Sequence, residues 1–319
     1  MKRSSKTYLG LFLLTSFIIL TMAACLGGSQ AATQTEVPAA VGPQPTATRQ
    51  RGDDAPPSNA QAGELWTSPK DGTVVVYVPA GDFLMGAREF DEDAEPDEMP
   101  MRTVTLDAYW IDRTEVTNTM FAEFLTQVDN QTEGGAPWLE ASSPDARMYV
   151  EGPRWVVEEG YDDKPVAEVT WFGAQAYCEW AGRSLPTEAQ WEKAARGTEG
   201  LIYPWGNTKP NCSLANYFTG SQACAEGLAD VGTYNGGASP YGVFDMAGNV
   251  WEWVADWYKD NYYKNAPAEN PTGPDAGSTK VFRGGSFESG PRTLRTSERN
   301  TDSPGVARYR IGFRCVLNP

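Results

Sequence analysis

The sequence predicts an α+β domain rich in irregular backbone, cross-linked more than layered. Three observations carry that expectation. Short β-branched runs break at Gly and Pro, three helical segments bring their own caps, and Gly/Asn/Pro-rich loops with short aromatic segments follow the third helix. Aromatic residues run from Trp66 to Tyr309 without a linker-like gap, so one domain of about 250 residues is expected rather than two.

The stretch "GTVVVYVPAGDFLMG" (72–86) begins β-branched and breaks at Pro79 and Gly81, which reads as a hairpin. "VTLDAYWID" (104–112) places Val104, Leu106, Ala108 and Trp110 on one face, a half-buried strand. Thr117 then N-caps a helix whose Phe121, Phe124, Leu125 and Val128 form an apolar stripe. A second helix starts at Thr170, carries Trp171, Ala174, Tyr177, Cys178 and Ala181, and stops at Gly182. In "LPTEAQWEKAARG" Thr187 and Gln190 make a capping box, and Gly197 supplies the C-terminal cap. The acidic run "EFDEDAEPDEMP" (89–100) reads as a solvated loop beside a strand.

Residues 1–24 combine a basic start, an apolar run and small residues, the pattern of an export signal. Ala23 and Ala24 before Cys25 resemble a bacterial lipobox, with Met22 where Leu is usual. Cys25 is therefore the expected lipidation site, with ordinary signal cleavage or an uncleaved anchor as the alternatives. Residues 25–63 are rich in Ala, Pro, Gln and Thr, without an aromatic residue, and are read as a disordered tether of very roughly 30–40 Å. The folded domain is assigned to 64–319. The chain is thus expected in a bacterial cell envelope, lipid-anchored on the extracytoplasmic side of a membrane.

The formal net charge is −16, which disfavours nucleic acid as a partner. Histidine is absent, which excludes His-based acid–base catalysis, Ser-His-Asp triads and His-ligated metals. Besides Cys25 the cysteines are Cys178, Cys212, Cys224 and Cys315, an even number in an exported chain, which favours disulfides. Three pairings are possible. Cys212 and Cys224 bracket a short loop and pair most simply, which leaves Cys178 with Cys315.

"VYVPAGDFLMG", "EVTNTMFAEF", "PVAEVTWFGAQAYCEWAGRSLPTEAQWEKAARG", "YPWG", "YGVFDMAGNVWEWVADWY", "VFRGGSF" and "IGFRC" occur in this order over about 72–316. Together they resemble the formylglycine-generating enzyme, or sulfatase-modifying factor, family. The resemblance implies a C-type-lectin-like fold variant and a disulfide between Cys178 and Cys315. It also implies calcium, held by Asp245, Glu252 and the backbone oxygens of Gly248 and Val250, hard donors that suit that ion. The alternative has Asp245 capping a turn and Glu252 as a buried pairing partner. A second calcium site would use Asn216 and the Tyr217 carbonyl, but its remaining ligands would fall in a loop that is short here.

In the enzymes of this family a cysteine stands three residues after the serine of "GGS" and another five beyond it, and their thiolates bind Cu(I). At those offsets this chain has Ser289 and Leu294, after Ser286. Copper, and with it formylglycine formation, is not expected. The absence of histidine likewise excludes the family's histidine-ligated iron oxidases. What remains is an expected ligand groove edged by Arg283, Ser286, Ser289, Arg292, Arg295 and Arg299, for an anionic ligand, a glycan or an extended protein segment. The alternative is that these arginines pair with Glu288, Glu298 and Asp302. A sugar-binding role is a further reading, from eleven tryptophans and the triplet Glu95-Pro96-Asp97.

Overall fold

The computed structural model describes residues 55–319. The expected signal segment, Cys25 and most of the tether lie outside the described residues. Its far end does not: Ala60 is buried with Trp66, Val75 and Trp110, and the Gly63 amide donates to the Tyr77 carbonyl. The folded region therefore begins a few residues before 64. Among the described residues no helix is long and apolar enough to cross a membrane.

Among the described residues, fourteen short strands and three α-helices make up the fold. In the first half they run β1 (Leu65–Thr67), β2 (Val74–Val78), β3 (Gly81–Met85), β4 (Arg102–Leu106), β5 (Tyr109–Asp112) and α1 (Asn118–Val128). Two small hairpins follow, β6 (Thr132–Glu133) with β7 (Ala136–Pro137), and β8 (Met148–Glu151) with β9 (Arg154–Val157). Next come α2 (Trp171–Trp180), α3 (Glu188–Arg196), β10 (Trp251–Trp257), β11 (Lys280–Arg283), β12 (Asn300–Asp302), β13 (Ile311–Phe313) and β14 (Val316–Leu317). One four-stranded sheet has the order β1-β2-β5-β14, the other β12-β11-β10-β13, with β10 and β13 parallel.

Two expectations about strands are corrected. Residues 72–86 are not a hairpin, because β2 pairs with β1 and β5 whereas β3 pairs with β4. Pro79 and Gly81 separate two sheets rather than turn one strand back on its neighbour. Residues 104–112 are likewise two strands, broken at Asp107 and Ala108, so Tyr109 and Ile111 are buried as well as Trp110. Period-two alternation cannot reveal such a switch when both strands are apolar on the faces they bury.

The helices follow the sequence closely. The Thr117, Thr170 and Thr187 hydroxyls accept from Met120, Gly173 and Gln190 amides, and the α3 capping box closes from both sides. Phe121, Phe124 and Leu125 join Tyr177, Cys178, Trp253 and Phe313 in one core. A second core lies between the first sheet, β3–β4 and α3. The Cys178–Cys315 disulfide ties α2 to the segment between β13 and β14, across 137 residues of sequence. Cys212–Cys224 closes a 12-residue separation in the long loop before β10. Both pairings match the expectation.

Candidate functional site

The stretch after β11 is shaped by two glycines. Gly284 and Gly285 both have positive φ, and a Cβ on Gly285 would stand 2.9 Å from both Leu294 Cδ2 and the Thr293 carbonyl. The chain therefore turns tightly over Leu294, which is fully buried among Tyr203, Ala215, Tyr217 and Ala247. Ser289 closes the next turn. Its hydroxyl accepts from the Ser286 amide at 2.9 Å and lies 3.2 Å from the Ser286 hydroxyl, while its carbonyl accepts from the Phe218 amide. Both family copper positions thus serve local structure, one as a hydroxyl clasp and one as a core alkyl group. All four cysteines among the described residues are in disulfides. The residues present do not fit a Cu(I) thiolate pair.

The expected arginine groove is corrected. Arg283, Arg295 and Arg299 are buried and face inward, not into a groove. Arg283 donates to Glu188 at 2.8 Å and Glu192 at 2.7 Å, and to the Thr296 and Ser297 carbonyls. Arg299 forks onto both oxygens of Glu188, at 2.7 and 3.0 Å. Arg295 forks onto both oxygens of Glu98, at 2.6 and 2.7 Å, and also meets Glu298 at 2.6 Å. A buried guanidinium needs fixed acceptors, and these carboxylates and carbonyls supply them. Only Arg292 of the four is exposed, paired with Glu95.

Of the internal partners the sequence suggested, Glu298 is one. Glu288 instead pairs with Arg310, and Asp302 with Arg308. Glu188 and Glu192 were missed, although they stand four apart on α3 and so on one face, beside the buried Trp191. Glu98 was missed because its acidic run reads as solvated. In fact Glu98 is fully buried, and Asp97 holds the Tyr258 hydroxyl at 2.9 Å. The triplet Glu95-Pro96-Asp97 is therefore engaged within the domain by Arg292 and Tyr258. Burial alone would raise the Glu98 carboxyl, but the hydrogen bonds and charge of Arg295 overcome it and leave it below its ordinary range. Glu188 is also held low, against burial, by Arg299 and Arg283.

The open concavity lies on the other side of the serine turn. A cavity of about 700 Å³ is lined by Phe218, Cys224, Glu226, Phe287, Glu288 and Arg310, among others. A second, of about 260 Å³, shares Glu226, Phe287 and Glu288, and adds Asp145, Arg147, Tyr161, Lys164 and Tyr309. The two share Glu226, Gly227, Phe287 and Glu288 and form one groove edge, Phe287 and Glu288 standing between Ser286 and Ser289 in the chain. Phe218 and Tyr309 are among the exposed large apolar side chains. Of the six expected groove residues none lines either cavity, and the aromatic walls were missed because an isolated Phe in a loop carries no periodic signal.

The calcium residues divide. Gly248 has φ +85°, and a Cβ there would lie 2.2 Å from the Asn216 carbonyl oxygen, so the turn before β10 requires glycine. Val250 is buried just before β10. The Glu252 carboxylate is fully engaged: Arg314 donates to both of its oxygens at 2.6 and 2.7 Å, and the Trp191 ring nitrogen donates at 2.8 Å. Its placement is that of a buried pairing partner. Asp245 is buried with φ +57°, and its carboxylate accepts from the Gly232 amide at 2.6 Å. Beside it lies Glu115, buried, with neither oxygen hydrogen-bonded. Burial raises both carboxyls, Glu115 well above its ordinary range with the charge of Asp245 adding to the effect. Hard carboxylate donors here fit a divalent cation, but with Asp245 rather than Glu252 as the free family ligand. At the second set, Asn216 donates to the Gly227 carbonyl and Asn249, its own oxygen is buried without a partner, and the Tyr217 carbonyl accepts from Cys224.

Comparison with known proteins places this architecture in a class. Residues 61–319 match the sulfatase-modifying factor enzyme 1-like domain. The formylglycine-generating enzyme of Thermomonospora curvata is 34% identical over 283 residues, covering 77% of this chain and 93% of that protein. The chain therefore belongs to the sulfatase-modifying factor family. A serine/threonine-protein kinase pkn1 of Chlamydia pneumoniae is 37% identical over 249 residues, 77% of this chain; the chain spans 38% of that protein's length. Among solved structures, PvdO from Pseudomonas aeruginosa aligns with a TM-score of 0.65 at 25% identity, over 81% of this chain and 98% of that one. Treponema denticola variable protein 1 aligns at 0.61 and 24%, over 80% and 99%, and shares the fold. The loop-rich α+β fold of the formylglycine-generating enzyme family is thus the fold of this chain.

Proposed function

We propose that this chain is a binding module built on the sulfatase-modifying factor scaffold, lipid-anchored through Cys25 outside a bacterial membrane, and that it does not form formylglycine. The observation that carries the reading is the pair Ser289 and Leu294, a turn-clasping hydroxyl and a buried alkyl group where the family's copper chemistry needs two thiolates. The ligand-facing surface is the groove walled by Phe218, Phe287 and Tyr309, with Glu226, Glu288 and Arg310 at its edge. Its open shape and its mix of aromatic and charged groups suit an extended protein segment, with backbone and side chains both in contact. An anionic ligand is less well served, since the three arginines that suggested one are neutralised inside the domain. Calcium is proposed as a stabilising ion at Asp245.

Titration of the full-length chain with Cu(I) against a chromophoric copper chelator tests the reading. The expected result is that copper stays with the chelator. Retention of one equivalent against a strong chelator overturns it and favours the alternative, an oxidoreductase of the formylglycine-generating type that modifies a substrate cysteine.

A further inference from the structure

We propose that the Cys212–Cys224 bridge is a redox-sensitive clasp on the groove, and that a dithiol reductant opening it releases one groove wall. This rests on the groove as the ligand-facing surface, as read above. The two disulfides sit in opposite environments. Cys178 and Cys315 are both fully buried, and the bridge between them lies inside the core that holds Phe121 and Phe313. Cys212 is exposed and Cys224 half-buried, with Cys224 lining the larger cavity. Thiol–disulfide exchange needs a thiolate to reach a sulfur, so access selects the second bridge and protects the first.

What the bridge holds is a wall. Ala223, Cys224, Ala225 and Glu226 follow one another along the larger cavity. The chain reaches them by turning back after Phe218: Phe218 bridges Ala223, the Thr219 amide donates to the Gln222 carbonyl, and the Cys224 amide donates to the Tyr217 carbonyl. The near limb is fixed without the disulfide. Tyr217 is buried, its hydroxyl donates to the Pro210 carbonyl at 2.9 Å, and the Phe218 amide donates to the Ser289 carbonyl at 2.9 Å. The returning limb is held less firmly. Residues 220–223 are exposed, and beyond the hydrogen bonds of the turn itself the limb is tied at Gly227, whose carbonyl accepts from Asn216. The bridge is the covalent tie that keeps this limb against the groove. Reduction takes two electrons and two protons from the dithiol. One donor thiolate attacks Cys212 Sγ, and Cys224 leaves as a thiolate and is protonated. The donor's second thiol then displaces Cys212, leaving two protein thiols and a cyclic donor disulfide.

The test treats the full-length chain with graded dithiothreitol, locates the opened cysteines by alkylation and peptide mass, and follows amide hydrogen exchange. Cys212 and Cys224 are expected to be alkylated at about tenfold less reductant than Cys178 and Cys315. Exchange across 219–227 is expected to rise about tenfold in the same samples, with α2 unchanged. Cys212→Ser/Cys224→Ser is expected to show the fast exchange with or without reductant. Both bridges opening together, or an opened bridge with unchanged exchange across 219–227, overturns the inference. Peptides whose binding Phe218→Ala weakens should bind about tenfold more weakly to the reduced chain, and equal binding overturns the control of the groove. Fast exchange on reduction in a chain that binds no peptide in either state supports the clasp, and overturns the groove as a peptide site.

Discussion

The two sides of the serine turn share one stretch of chain but do opposite work. Arg283, Arg295 and Arg299 point inward and are closed off by Glu188, Glu192, Glu98 and Glu298, whereas Phe287, Glu288 and Arg310 face an open groove. The inward side is a salt-bridge network that locks α3 against β11 and the acidic loop. The outward side opens onto the groove, and the turn at its edge is clasped by the Ser289 hydroxyl. The difference teaches that a dense arginine run reports local charge, not the direction it faces. The partner carboxylates, distant in sequence, decide that.

The comparison breaks most sharply if the inward arginines are dispensable. Arg283→Ala strands Glu188 and Glu192 without one of their main counter-ions, and should cost about 3–5 kcal/mol by urea unfolding. A loss under about 1 kcal/mol would mean that Arg283 is not part of a closed network. The Cys178→Ala/Cys315→Ala pair should cost about 2–5 kcal/mol, more than Cys212→Ser/Cys224→Ser, because the first closes much the longer loop. Equal losses would contradict that ranking.

The network also sets a pH dependence. Burial pushes the Asp256 carboxyl up to about 7, with Glu188's charge adding to the effect, and burial pushes Glu298 up to about 7 despite Arg295. Each folded-state value lies above the unfolded one, so the folded chain holds the proton more tightly. Their stabilisation is complete below pH ~4 and is lost as pH rises through about 7. The melting temperature should therefore fall between pH 5 and 8 (roughly that window), and Asp256→Asn should flatten the fall. An unchanged slope in that variant would remove Asp256 from the account.

The outward side should respond differently. In a screen of extended peptides, Phe218→Ala and Phe287→Ala should each weaken the binders found by about tenfold, about 1.4 kcal/mol, with little change in melting temperature. Binders that ignore both variants, or none at all, would count against the groove. Arg292→Ala, at an exposed pair, should change stability by less than about 1 kcal/mol.

Much of the fold was legible from local chemistry. The caps at Thr117, Thr170 and Thr187 and the Cys212–Cys224 bridge follow from short-range signals, Cys178–Cys315 is the pair then left over, and the family segments give the order of elements. The strands at 72–86 and 104–112 were misjudged because pairing is non-local, and an apolar run does not say which sheet it joins. At the site, Ser289 and Leu294 were legible because they occupy fixed offsets from "GGS". Glu98 and Glu115 were not: an acid in a loop, whether in an acidic run or alone, looks solvated until the fold buries it.

The most direct measurement incubates the full-length chain with Cu(I), oxygen and a cysteine-containing sulfatase peptide, and follows oxygen uptake and peptide mass together. The account predicts no oxygen consumption above the copper blank and an unchanged peptide mass. Conversion of the cysteine to formylglycine would contradict it, and would mean that copper chemistry survives in this chain without thiolates at Ser289 and Leu294.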